Sequence, residues 1–109
     1  MKENELRVGN IVHNGVVREQ EIYDSSYIEL AQFYEPVPLT EELLLRFGAV
    51  KKGIYLDFHL LSLLKTKTGR FEVYLDEAWE LTTIDYVHEW QNLYYAINKT
   101  ELTLKDKAE

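Results

Sequence analysis

The sequence predicts an α+β domain: a strongly twisted antiparallel sheet, or two small sheets, with one short and one long helix packed on it. Three observations predict it. Apolar and polar residues alternate over several short runs, as half-buried strands require. Asn14-Gly15 lies between two of those runs, and Asn-Gly is the strongest short hairpin signal because a type I′ turn needs positive φ at both central positions. The apolar period then lengthens to that of a helix over residues 40–48 and again over residues 86–98. A chain of 109 residues with 46% hydrophobic content can bury one core without metal or disulfide support. One domain over 1–109 is therefore expected, with 1–4 and 105–109 frayed.

In chain order, residues 6–12 read as a strand with Leu6, Val8 and Ile11 apolar. Asn14-Gly15 turns the chain into a return strand over 16–23. Asp24-Ser25-Ser26 is a turn, and residues 27–30 read as a third short strand. This opening resembles half of a small SH3-like barrel. Residues 33–38 are an extended connector, since Pro36 and Pro38 bias their predecessors away from helix.

Thr40 is a good N-cap for the short helix, Glu41 and Glu42 suit its positive end, and Gly48 suits the left-handed position that ends it. Leu39 and Leu44 form a hydrophobic staple, but Leu43 stands where a capping box needs Glu or Gln. Ile54, Leu56, Phe58 and Leu60 form one strand face, and the alternation breaks over 60–64, where a bend or bulge is expected. Residues 66–70, with Gly69, read as a hairpin turn. Phe71, Val73 and Leu75 form the next strand face, Asp76-Glu77 turns the chain, and Trp79 and Leu81 start another strand. Trp79 and Trp90 are both expected in the core. Thr83 or Asp85 caps the long helix, which runs to about Asn98, and Leu102 and Leu104 suit a last short strand.

The long helix has two unlike faces. Tyr86, Val87, Trp90, Leu93, Tyr94 and Ile97 form a core face at 100° per residue. His88, Gln91, Asn92 and Tyr95 form a stripe of uncharged hydrogen-bonding groups, where a solvated face normally carries Lys and Glu. One reading is structural, with the amides bonding to loop or strand-edge backbone. The other is a ligand-facing stripe, in which Tyr and His stack a base while Gln and Asn read its edges.

Charge separates along the chain. Residues 46–70 hold six bases (Arg46, Lys51, Lys52, Lys65, Lys67, Arg70) and one acid, Asp57, whereas residues 71–98 hold six acids and no base. These are either solvated turns and strand faces or a bipolar surface. In the second case Lys51, Lys52 or Arg70 would neutralise the phosphates of a small anionic nucleotide. The net charge of −7 argues against nucleic acid as the partner.

Most chemistry lacks its residues. There is no Cys and hence no thiol nucleophile or disulfide. His13, His59 and His88 make no metal-ligand spacing. The glycines lie singly, so no phosphate loop is present, and no serine stands in an activating motif. Carboxylate pairs such as Asp76/Glu77 are expected in a solvated turn, where general acid–base work is not expected. The expectation is a non-catalytic protein without metal or cofactor. No apolar run approaches the roughly 20 residues of a membrane span, and the opening Met-Lys-Glu-Asn-Glu-Leu-Arg is no signal peptide. The expected location is the host bacterial cytoplasm, off the membrane.

Residues 36–48 (Pro-Val-Pro-Leu-Thr-Glu-Glu-Leu-Leu-Leu-Arg-Phe-Gly) and 86–96 (Tyr-Val-His-Glu-Trp-Gln-Asn-Leu-Tyr-Tyr-Ala) resemble a family of small uncharacterised proteins from phages and prophages of Bacteroidetes. The likeness extends to Leu-Arg-Val-Gly-Asn-Ile-Val at 6–12. The family's closing pattern, Leu-Thr-Gly-Glu-Glu-Leu, is here Ile-Asn-Lys-Thr-Glu-Leu at 97–102, so Lys99 stands in place of a glycine. The resemblance implies a phage setting and carries no activity. By analogy with small phage proteins that act by binding, it implies an inhibitor of anti-phage defence, which sequesters a nucleotide-derived signal or blocks a host defence protein. The alternatives are a nucleic-acid-associated accessory protein, for which the SH3-like half is the reader, and a virion structural or assembly protein. An edge strand in the 54–75 hairpin would also pair with a second copy and give a homodimer.

Overall fold

A computed structural model describes residues 1–17, 19–75, 79–100 and 102. It is an α+β fold with two antiparallel sheets, of three and five strands. The chain divides into two compact units, one built from residues 1–38 and 86–102 and the other from residues 39–85.

In unit 1, strands β1 (Ile11–His13), β2 (Gln20–Glu21) and β3 (Glu35–Pro36) form a sheet of order β2-β1-β3. Ile11 faces Glu21, and Val12 faces Gln20 on one side and Pro36 on the other. A core of Leu6, Val12, Ile22, Ala31 and Tyr34 lies beneath, with Met1, Tyr27 and Ile28 packed against it.

Several expected strands are shorter or absent, because side chains bond their own backbone instead. Residues 6–10 are not a strand. The Asn10 side chain accepts the Arg7 N–H at 2.7 Å, and Gly9, at φ 100°, donates to the Ile22 carbonyl. The hairpin at Asn14-Gly15 is real but wide. Asn14 Oδ1 accepts from both Val16 and Val17 N–H, at 2.9 and 2.7 Å, and Gly15 has positive φ while Asn14 does not. The return strand is accordingly only two residues long. Residues 27–30 are not a third strand either. Asp24 accepts the Ser26 N–H at 2.8 Å and caps a short helix, α1 (Ser25–Ile28). β3 supplies the third strand, so the half-barrel expected here is an open three-stranded sheet.

Unit 2 follows the sequence pattern more closely. Helix α2 (Glu41–Phe47) starts at Thr40, whose Oγ1 accepts the Leu43 N–H at 3.1 Å, and ends at Gly48 with φ 113°. Leu39 and Leu44 are both buried, as a staple requires. Strands β4 (Val50–Lys52), β5 (Tyr55–Phe58), β6 (Leu61–Lys65), β7 (Phe71–Leu75) and β8 (Trp79–Ile84) form a meander in chain order. Leu56, Phe58, Leu61, Ser62, Leu63, Phe71, Val73 and Ile84 are buried in it, and α2 packs on β5. The bend or bulge expected over 60–64 is absent: the chain reverses earlier, at His59-Leu60, with His59 at φ 56° and Leu60 exposed, and β6 is a separate strand that pairs with β5 without a bulge. Val73 pairs with Thr82 but Tyr74 with Glu80, so Leu81 is the extra residue of a β-bulge.

Two further expectations are corrected in this unit. The 54–75 hairpin is no sheet edge, since β5, β6 and β7 are interior and the edges are β4 and β8. Trp79 is 71% exposed on edge strand β8 rather than in the core. The turn at Asp76-Glu77 and a strand at Leu104 lie outside the described residues.

Helix α3 (Val87–Asn98) belongs to unit 1 and packs on β1. Neither Thr83 nor Asp85 caps it. Tyr86 occupies the N-cap, and Glu89 reaches back to accept its N–H at 3.0 Å. Asp85 instead receives Arg70. Val87, Trp90 and Tyr94 are buried as expected, while Tyr86 and Ile97, at the helix ends, are exposed. No helix of the described residues is long and apolar enough to cross a membrane.

Candidate functional site

The polar stripe of α3 meets the protein's own backbone. Gln91 is fully buried. Its Oε1 accepts the Ile11 N–H at 2.8 Å, and its Nε2 donates to the carbonyls of Gly9 at 2.9 Å and Leu102 at 3.3 Å. One side chain thereby satisfies three backbone groups from two separate segments, which an amide can do because it donates and accepts at once. Asn92 works beside it. Its Oδ1 accepts from Arg7 Nε at 2.8 Å and Asn10 Nδ2 at 2.9 Å, and its Nδ2 donates to the Glu5 carbonyl at 3.1 Å.

His88 and Tyr95 flank these amides. The Arg7 guanidinium lies 4.3 Å from the centre of the Tyr95 ring, a cation–π contact, and Arg7 also donates to the Gln91 carbonyl at 3.2 Å. The His88 ring stacks on Tyr86 at an interplanar angle of 14°, with Nε2 3.8 Å from a Glu5 carboxylate oxygen. Its Nδ1 is buried without a hydrogen-bond partner. Desolvation holds the imidazole below its ordinary pKa, against the opposing pull of Glu89 and Glu5. The stripe residues predicted as a site are thus brought together, and what they grip is the segment 5–11 and Leu102.

The predicted cations belong to unit 2, and each has a carboxylate partner there. Lys51 is 3.0 Å from Glu41, and Lys52 is 3.7 Å from Asp57. Arg70 holds Asp85 in a two-point grip at 2.7 and 3.2 Å. A cavity of about 350 Å³ in unit 2 is lined by Lys51, Lys65, Tyr55 and Glu41 together with Ile54, Leu56 and Leu64. Among the described residues no group of three or more His, Asp or Glu side chains is placed to hold a metal.

A second cavity, in unit 1, was not legible in the sequence. It measures about 480 Å³, within the usual range for ligand sites. Val16 and Val17 of the loop after β1, Gln20 of β2, and Leu30 and Phe33 of the stretch after α1 line it. Asn14, Tyr27 and Tyr34 complete the lining. Val16 is 88% exposed and Phe33 64% exposed, and Tyr23, also exposed, packs edge-on against Tyr27 at 6.0 Å. The same local bonds that shorten the strands create this groove. Asn14 turns Val16 and Val17 out of the ladder, and Asp24 winds the next residues into α1. The available signal was Val16-Val17 directly after Asn-Gly, followed by Leu30 and Phe33 out of step with any period.

Comparison with family models, with curated proteins and with solved structures gave no match.

Proposed function

We propose that the protein acts by binding rather than catalysis, and that the groove of unit 1 is its binding surface. The observation that supports this is the cluster of exposed Val16, Val17, Leu30 and Phe33 around one cavity. Large apolar side chains gathered in a concave, exposed place mark interaction sites far more often than the same side chains scattered singly. In the phage setting implied by the family resemblance, the protein would inhibit bacterial anti-phage defence by blocking a defence protein in the host cytoplasm.

The rival form, capture of a nucleotide-derived signal, draws on the cavity of unit 2 with Lys51, Lys65 and Tyr55. It is the weaker of the two. Glu41 stands in the same wall, 3.0 Å from Lys51, so the wall carries one carboxylate against two ammonium groups. The stripe adds little to that reading, because Gln91 is buried and its amide is fully engaged.

Native mass spectrometry of the protein, gently purified from a host with active defence systems, tests the proposal. The expected result is a host protein retained by the wild type and released by Phe33→Asp, with the variant still folded. Equal retention by Phe33→Asp contradicts the groove. An added mass of a few hundred daltons that is lost in Lys51→Ala would favour the nucleotide reading instead.

A further inference from the structure

We propose that Asn14 is a site of spontaneous covalent modification: its side-chain amide is displaced by the backbone nitrogen of Gly15, and the position becomes aspartate or isoaspartate. Asn14-Gly15 is the only Asn-Gly step in the sequence. The reaction needs a reachable nitrogen, a polarised amide carbon and a place for the charge that develops on Oδ1. The start of the loop after β1 supplies each of them.

Gly15 is exposed, and a Cβ at this position would meet nothing within 4 Å. It has no side chain to crowd the approach of its nitrogen to Asn14. Among the described residues the Gly15 N–H has no acceptor, so no hydrogen bond holds the proton that must leave. The amide is held by its oxygen. Val16 and Val17 N–H donate to Asn14 Oδ1 at 2.9 and 2.7 Å. Those are distances at which backbone N–H groups stabilise the oxyanion of a tetrahedral intermediate, and both donors are in place before the reaction starts. Nδ2, the group that leaves, has only a long contact of 3.4 Å to Gln20 Oε1.

The Gly15 nitrogen gives its proton to hydroxide and attacks Asn14 Cγ. Negative charge forms on Oδ1, against the two N–H donors. The Cγ–Nδ2 bond then breaks, Nδ2 takes a proton from water, and ammonia departs from a closed succinimide ring. Water opens the ring at one of its two carbonyls. One water is consumed and one ammonia released, and nothing is oxidised or reduced. Opening at the side-chain carbonyl restores the normal main chain with aspartate at this position. Opening at the main-chain carbonyl gives isoaspartate, which adds a carbon to the main chain and turns the acceptor of Val16 and Val17 into part of it. Either product places a carboxylate at a residue that lines the groove of unit 1. Its effect on binding rests on the reading above, whereas the reaction does not.

The test is intact-mass and peptide mass spectrometry of the full chain, incubated at about pH 8 both folded and unfolded in guanidinium. The folded chain should gain about one dalton at Asn14, partly as isoaspartate, at a rate within about tenfold of the unfolded chain's. Asn4, Asn10, Asn92 and Asn98 precede larger residues and should stay unconverted while Asn14 reaches half conversion. Higher pH should speed the change, since hydroxide takes the Gly15 proton. Asn14→Gln should keep its mass, because its longer side chain would have to close a six-membered ring. A folded chain that converts more than about tenfold more slowly than the unfolded one would overturn the proposal, because the loop would then protect the amide instead of presenting it. Conversion at another asparagine ahead of Asn14 would overturn it as well. Peptide mapping of the wild type decides this whether or not Asn14→Gln folds.

Discussion

Gln91 and Ile11 stand 80 residues apart in sequence and share a buried hydrogen bond of 2.8 Å, from the Ile11 N–H to the Gln91 Oε1. That bond joins α3 to the first residue of β1. With the bonds to Gly9 and Leu102 it makes one uncharged side chain the tie between helix, opening segment and closing segment. The amide is needed because two of its partners are carbonyls and one is an N–H. Glutamine alone reaches this far with two N–H donors and a carbonyl acceptor on one uncharged group.

Removing that amide should therefore cost folding, not recognition. Gln91→Ala leaves a buried N–H and two carbonyls without partners and opens a cavity, a loss of about 3 kcal/mol or more by chemical denaturation. Gln91→Glu is the sharper variant. Its carboxylate would face the Gly9 and Leu102 carbonyls, so burial and repulsion raise its folded pKa above the ordinary glutamate value. Such a group favours folding at pH below its unfolded pKa, and that contribution is lost as pH rises through the folded pKa. The gap in melting temperature between Gln91→Glu and wild type should narrow from pH 7.5 towards pH 4.5. A gap independent of pH would contradict the assigned contacts.

His88 gives the protein a pH dependence of opposite sign. Burial lowers its folded pKa below the unfolded value of about 6.5. The unfolded chain then binds more protons as pH falls below about 6.5, so this contribution to stability is complete above that pH and declines beneath it. His88→Leu should flatten the fall in melting temperature between pH 7 and pH 5. The same slope in wild type and variant would assign the pH dependence elsewhere.

Lys99 ends α3 in the left-handed region, at φ 57°. An L side chain there costs roughly 1–2 kcal/mol that glycine avoids, offset in part by glycine's greater freedom when unfolded. Lys99→Gly should stabilise the protein by about 0.5–1 kcal/mol, read from urea midpoints at constant slope. A destabilised variant would mean that the lysine side chain itself anchors the helix end.

The two tryptophans should behave differently. Trp90→Ala empties a fully buried site and should cost about 3–5 kcal/mol. Trp79→Ala, on a residue 71% exposed at the edge of the five-stranded sheet, should cost under about 1 kcal/mol. Comparable losses would show that Trp79 is covered in solution.

These contrasts show what the sequence carried and what it did not. Helix α2 was legible from end to end because its signals are local: Thr40, the Leu39–Leu44 staple and Gly48 act within one turn of the elements they bound. Strands β5 and β7 were legible too, since alternation reports a sheet with one buried face, whereas β4, exposed throughout, and the turn at His59-Leu60 were not. Trp79 broke that rule by falling on an edge strand, and strand order is not a local property. Residues 6–30 were misread because Asn10, Asn14 and Asp24 capture backbone N–H groups that a strand would otherwise use, and apolar spacing does not register such competition. The stripe of α3 was legible as a pattern of residues. Its partners were not, because all but Leu102 come from a segment 80 or more residues away. The groove was hidden for the same reason as the misread strands, being a product of the loops that replaced them.

The central claim is that the protein acts through the apolar groove of unit 1. It is tested most directly by the plating efficiency of a defence-sensitive phage on a defended host that expresses the protein. Wild type should raise plating. Phe33→Asp, folded to the same melting temperature, should return it to the level of an empty vector, and Lys51→Ala with Lys52→Ala should plate like wild type. Full activity in Phe33→Asp, with loss in the lysine variant, would contradict the account and move the function to the cavity of unit 2.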